Sequence, residues 1–194
     1  MNCDKMNNIA IFASGNGTNA QALIEYFATR STARIALLIS NKPQAYALER
    51  AKRHNITTIL INSKTPCSEL IETLHSHRID WIILAGYLAL VPTELTAEFP
   101  NRIINIHPAL LPKYGGKGMY GEHVHKAVLA AHEIRSGITI HFVNEHYDSG
   151  TIIFQASCPV YSEDTPDTLA ARIHPLEHHY LPIIADLLCS RDYQ

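Results

Sequence analysis

No apolar run in this sequence approaches the roughly 20 residues needed to cross a bilayer, so no membrane partner is expected. Residues 1–7 are polar and lack the apolar stretch of a secretory leader, which makes the cytoplasm the expected compartment. Cysteine is sparse. Cys3, Cys67, Cys158 and Cys189 are scattered without the spacing of a zinc knuckle or redox pair, and free thiols are expected. Charge of either sign is not in excess: Lys plus Arg number 16, Asp plus Glu 18, and the net charge is −2. No basic run interleaves with aromatics, so nucleic acid is not an expected partner. Repeats, low-complexity tracts and linkers are missing, and 194 residues suit one domain over 1–194.

Histidine is plentiful, with 12 residues that include the pairs His75/His77, His123/His125 and His178/His179. An extended H-x-H can hold a metal, but no Cys, Asp or Glu at ligand spacing joins these pairs. They read as surface histidines, and no metal is expected.

The first half of the chain alternates. Apolar runs at 8–13, 34–40, 57–61, 81–86 and 102–107 read as buried strands, with helical periodicity at 19–29, 44–54, 67–77 and 93–99 between them. That order specifies a largely parallel sheet with helices on both faces. The second half predicts a helix over 122–131, strands over 137–142 and 151–156 joined by the tight turn "YDSG", and a final helical stretch over 168–190. The turn makes the last strands antiparallel, so the fold class is α/β with a mixed, Rossmann-like sheet. Pro175 and Pro182 are expected to break or kink the last helix.

The loop "SGNGTN" follows the first strand and opens the first helix, where glycines and free backbone amides suit an anion such as phosphate. Gly15, Gly17 and Ala20 also satisfy the dinucleotide pattern G-x-G-x-x-G/A. A nicotinamide cofactor would need an acid at the end of the second strand to hold ribose hydroxyls, and that position is Asn41. A sugar monophosphate fits the loop as well as a dinucleotide, and a ligand-free tight turn stays open. Thr18 or Asn19 is the expected helix cap.

The fifth strand ends in "NIHPALLPKYGG", residues 105–116. Strand geometry sends Asn105 and His107 to one face. A carboxamide can stabilise an oxyanion and an imidazole can move a proton near neutral pH, a pairing that suits acyl chemistry. Such a pair calls for a carboxylate to raise the imidazole pKa. "NEHYDSG" offers Glu145 and Asp148; Asp148 is preferred for its place in the turn, with a plain turn aspartate as the alternative. There is no G-x-S-x-G elbow, so the chemistry expected is direct attack by a substrate group on an acyl carbon.

Taken together, "SGNGTN", "LAGYLALV", "NIHPALLPKYGG", "GITIHFVNEHYDSGTIIFQA" and "RIHPLEHHYLP" resemble, in order, the motifs of the folate-dependent phosphoribosylglycinamide formyltransferases, from about residue 8 to 188. The resemblance implies formyl transfer from 10-formyltetrahydrofolate to the amine of glycinamide ribonucleotide in purine synthesis, by a monomer or homodimer. It implies catalytic roles for Asn105, His107 and Asp148. It assigns Gly15, Asn16, Gly17, Thr18, Asn19 and Glu177 to the ribonucleotide; Lys64, in the loop after the third strand, is a further candidate phosphate contact by its position. Folate is assigned to Leu88, Ala89, Leu90, Val91 and Asn105 and to Asn144, Glu145, His146, Tyr147 and Asp148. Ala89 stands where some relatives carry Arg, which leaves the folate contact there to the backbone. Segment 115–128 is longer than the usual link, and its tip is expected to be a mobile flap. A methionyl-tRNA formyltransferase is expected to carry a further C-terminal domain and a basic surface, and a deformylase an N-terminal regulatory domain.

Overall fold

The computed structural model describes residues 6–190. The first half runs β1 (Asn7–Phe12), α1 (Thr18–Phe27), β2 (Ala33–Ser40), α2 (Tyr46–Arg53), β3 (Thr57–Leu60), α3 (Cys67–Ser76), β4 (Trp81–Leu84), α4 (Thr93–Glu98) and β5 (Ile103–His107). The second runs α5 (Glu122–Ala130), β6 (Arg135–Phe142), β7 (Ile152–Pro159) and α6 (Pro166–Ser190).

Continuous apolar runs form the central strands because both sheet faces are covered. In β1, Ile9 and Ile11 face one core with Leu23, Leu181 and Val128, while Ala10 and Phe12 face a second with Leu74 and Leu95. Helices α1, α2, α5 and α6 thus cover one face, and α3 and α4 the other. The strand order is β3-β2-β1-β4-β5-β6-β7, parallel through β5 and antiparallel for β6 and β7, as the alternation and the "YDSG" turn predict.

The chain winds outward from β1 to β3, then returns to lay β4 on the other side of β1. Ligands in open α/β sheets collect at such a reversal, outside the carboxyl ends of the strands. Phe12, Leu84 and Asn105 stand level across β1, β4 and β5. His107 therefore projects two residues past the end of β4.

Three local expectations are corrected. Pro175 and Pro182 do not break α6, which runs through both. Each proline removes a backbone bond at a cost of about 3 kcal/mol. Leu169, Ile173, Leu181 and Leu188 on the same helix are each at most 3% exposed, and their burial stabilises it by about 1.5–3 kcal/mol apiece. The sixth and seventh strands are longer than their apolar runs because their pairing extends from His141 opposite Ile152 to Arg135 opposite Pro159. Neither Thr18 nor Asn19 caps α1: Gly17 is the cap residue, with no side-chain cap bond.

Gly17 has φ 75°, and a Cβ there would meet the Ala47 Cβ at 2.5 Å. Gly17→Ala is expected to lower unfolding stability by about 3 kcal/mol through left-handed strain plus overpacking, read as a fall in the urea midpoint without a change in slope.

Candidate active site

Asn105 and His107 lie on β5, and His141 on β6 pairs directly across from Asn105. The chain leaves β6 alongside Ile103, where Val143 N–H donates to the Ile103 carbonyl at 2.9 Å. It then turns back and places Asp148, at φ 51°, over the two strands. Asp148 Oδ2 is 3.5 Å from His107 Nδ1, and Asp148 Oδ1 accepts from Asn105 Nδ2 at 3.3 Å. The three residues singled out in the sequence do converge.

The glycine pair in "KYGG" has its reason here. A Cβ on Gly115 would fall 3.1 Å from the Asp148 Cβ and 2.6 Å from Leu111 Cδ2, so glycine lets the backbone come this close without displacing either side chain. The next residue, Gly116, donates its N–H to Asp148 Oδ2 at 2.9 Å. Two residues earlier, the Tyr114 carbonyl lies 2.7 Å from His107 Nε2. A carbonyl only accepts, so Nε2 carries a proton and Nδ1 faces Asp148.

His141 is the residue that sequence reasoning missed. Its Nδ1 lies 2.8 Å from the Phe142 carbonyl and therefore bears hydrogen, leaving Nε2 to accept from Asn105 Nδ2 at 3.1 Å in the neutral ring. His141 Nε2 is also 3.6 Å from Asp148 Oδ1. Asn105 is thus held at its amide nitrogen by two acceptors, which fixes the direction of its N–H bonds.

Electrostatically, the site departs from expectation at the imidazole. Burial pushes the His107 pKa down, and this outweighs the upward pull of Asp148 and the Tyr114 carbonyl. At 3% exposure the ring loses too much hydration for one carboxylate at 3.5 Å to restore the charge. Burial alone would raise the Asp148 pKa, but the facing His141 and His107 rings and the Gly116 N–H hold it below the usual carboxylate range.

These groups open into a cleft with a cavity volume of about 240 Å³. Leu88, Ala89, Leu90 and Val91, following β4, line one wall, and Asn144, His146, Tyr147 and Asp148 another. Asn19 and Glu177 close the end nearest α1. Gly15, Asn16, Gly17 and Thr18 lie just outside this lining, continuous with Asn19. Glu145 is exposed beside His146, and Lys64 is exposed after the edge strand β3; neither lines the cleft. His125 does, at 3% exposure, so its reading as a surface residue is corrected: it shares a buried stripe of α5 with Val124 and Val128. Among the described residues, no group of three His, Cys, Asp or Glu could hold a metal.

At the glycine loop, Arg50 on α2 donates from Nε to the Asn16 carbonyl and from a terminal nitrogen to Asn16 Oδ1, both at 2.9 Å. The first-turn amides of α1 have no intrahelical acceptors, which suits an anion. Asn41, where a dinucleotide site would want an acid, instead accepts from Ser14 Oγ at 2.7 Å.

Residues 7–184 match the family model described as formyl transferase. The chain belongs to the formyl transferase family. It is 41% identical over 191 residues to the chloroplastic phosphoribosylglycinamide formyltransferase of Arabidopsis thaliana, covering 94% of this chain and 65% of that one. With the phosphoribosylglycinamide formyltransferase of Bacillus subtilis it shares 37% identity over 191 residues, covering 94% and 95% of the two chains. The crystal structure of phosphoribosylglycinamide formyltransferase from Bacillus halodurans superposes with a TM-score of 0.87 at 37% identity, covering 95% of this chain and 96% of that one. The chain spans just under two thirds of the length of its plant relatives, 65% and 61%.

Glu177 is the second titrating carboxyl of the cleft. It is 7% exposed, and burial raises its pKa to about 7 against the opposing hydrogen bond from Asn19. A carboxyl whose folded pKa exceeds its unfolded value of roughly 4.3 favours the fold in its protonated form. That contribution is complete below pH ~4.3, falls as pH rises, and is gone above pH ~7, a span worth about 3 kcal/mol. Glu177→Gln should match the parent near pH 4 and be about 3 kcal/mol more stable at pH 8, read from urea unfolding at both pH values.

Proposed function

We propose that this chain catalyses transfer of the formyl group of 10-formyltetrahydrofolate to the amine of glycinamide ribonucleotide, a step of purine synthesis in the cytoplasm. The observation that carries this reading is the convergence of Asn105, His107 and Asp148 at one cleft that also reaches Asn19, at the end of the glycine loop. The relatives named phosphoribosylglycinamide formyltransferase support the choice of substrates.

The cleft suits both partners. Leu88 and Leu90, 43% and 47% exposed at its mouth, offer apolar cover for a flat ring, and the backbone of 88–91 and 144–148 offers polar groups for its edge. The α1 N-terminus takes the phosphate, and Glu177 faces the sugar. With Ala89 in the lining, folate is gripped there by backbone and apolar contact rather than by a charged side chain.

The folate supplies the formyl carbon and N10 as the leaving nitrogen. Asn105 donates an amide hydrogen to the formyl oxygen as the attacking amine closes on the carbon and negative charge grows there. That same charge offsets the desolvation of His107, so an imidazole that burial keeps neutral at rest becomes favoured as imidazolium beside the oxyanion. Asp148, ionised and oriented by Gly116, relays the proton lost by the amine to His107 Nδ1, stabilises the imidazolium so formed, and relays the same proton on to N10. The new C–N bond replaces the C–N10 bond, one proton moves between the nitrogens, and no covalent enzyme intermediate is required.

The test follows loss of the formyl group from a folate analogue by absorbance, in the presence of glycinamide ribonucleotide. The parent is expected to turn over. Removing the amide in Asn105→Ala is expected to lower kcat by about 10²–10³, as for an oxyanion donor. Asp148→Asn and His107→Asn are expected to lose at least as much. Parent-like rates in all three variants would sink the proposal.

A further inference from the structure

We propose that Glu133 is a positioning residue for the His107 imidazole, acting through Tyr114. The inference deepens the formyl transfer reading and rests on His107 serving in that reaction.

Glu133 lies between α5 and β6, outside the cleft lining, with its side chain 25% exposed. Its Oε1 accepts from the Tyr114 hydroxyl at 2.8 Å and from Lys113 Nζ at 2.7 Å. The opposite end of Tyr114 is its carbonyl, which takes the His107 Nε2–H at 2.7 Å. One residue therefore links a surface carboxylate to the buried ring.

The backbone of Tyr114 explains why it needs an anchor. Its φ is 59°, in the left-handed region that a non-glycine residue enters at a cost of about 1–2 kcal/mol. A residue stays there only when its surroundings hold it. The ring packs on the core and its hydroxyl is tied to Glu133, so the peptide is kept in the orientation that aims its carbonyl at His107. The same peptide leads through Gly115 to Gly116, whose N–H holds Asp148. Releasing Glu133 lets Tyr114 relax toward φ below zero, which withdraws the acceptor of Nε2 and loosens the donor to Asp148 together.

An alternative in which Glu133 only joins surface loops predicts a change in stability without a change at the imidazole. Asp148, His141 on β6 and His125 on α5 are the ionisable neighbours of His107. None of them is a partner of Glu133, so its loss reaches the ring through Tyr114.

The experiment compares Glu133→Ala, Glu133→Gln and Tyr114→Phe with the parent. Alanine at 133 and phenylalanine at 114 should each lower kcat by about fivefold to tenfold, the size of one lost hydrogen bond, with KM for the ribonucleotide within about twofold. The double variant should be no slower than either single one, because both cut the same link. Glu133→Gln keeps an acceptor for the hydroxyl and should retain most of the rate. The ring nitrogen signals of His107, followed by NMR against pH, should move in the alanine and phenylalanine variants, with titration displaced to lower pH, and stay near the parent in the glutamine variant. Unchanged His107 signals and parent-like kcat in Glu133→Ala and Tyr114→Phe overturn the inference. A parent that transfers no formyl group defeats the functional reading alone, since the ring signals still report on the link.

Discussion

The carboxylate of Asp148 is the point on which the site is built. It receives the Gly116 N–H, faces the rings of His107 and His141, and takes a hydrogen from Asn105, so β5, β6 and the segment after the proline turn all meet at two oxygens. A buried carboxylate without such partners would be protonated or driven to the surface. Four groups at 2.9–3.6 Å keep it ionised inside the protein. The left-handed backbone of Asp148 and the side-chain-free Gly115 are costs accepted locally so that this cluster can close.

Much of this was legible in the sequence because its signals were local. Period-two spacing put Asn105 and His107 on one face, the apolar alternation gave the order of strands and helices, and the turn residues of "YDSG" gave the antiparallel return. His141 was not legible. Its importance comes from the register that sets it opposite Asn105, and a strand read by itself carries no register. The charge of His107 was misjudged for a related reason: the carboxylate was visible in the sequence and the burial that outweighs it was not. Pro175 and Pro182 were read as breaking or kinking α6, and the break does not occur: the local penalty shows in the sequence, while the packing of that helix on α1, α5 and the sheet does not.

The cleft carries two carboxyls driven in opposite directions. Asp148 has the Gly116 and Asn105 N–H groups and two facing imidazoles and stays low, while Glu177 has burial and a single amide partner and is raised to about 7. They sit at different ends of the same cleft and suit different tasks. The fixed charge stands beside the imidazole, where charge develops during acyl transfer. The near-neutral acid can both donate and accept a hydrogen bond, which suits hydroxyl groups of a sugar better than a permanent anion would.

The hydrogen bonds at Asn105 indicate how substrate enters this arrangement without dismantling it. Both amide hydrogens are engaged, one with His141 at 3.1 Å and one with Asp148 at 3.3 Å. The second is the longer, and Asp148 keeps a 2.9 Å bond from Gly116 on its other oxygen. A formyl oxygen that displaces Asp148 Oδ1 from Asn105 therefore gives up the longer of the two Asn105 contacts, while His141 continues to hold the amide and Gly116 continues to hold the carboxylate. The carboxylate keeps the Gly116 N–H on Oδ2, so its charge is not left without a donor. An oxyanion donor is useful only if its reorganisation is small, and here it amounts to exchanging one long hydrogen bond for the one that strengthens as the reaction proceeds.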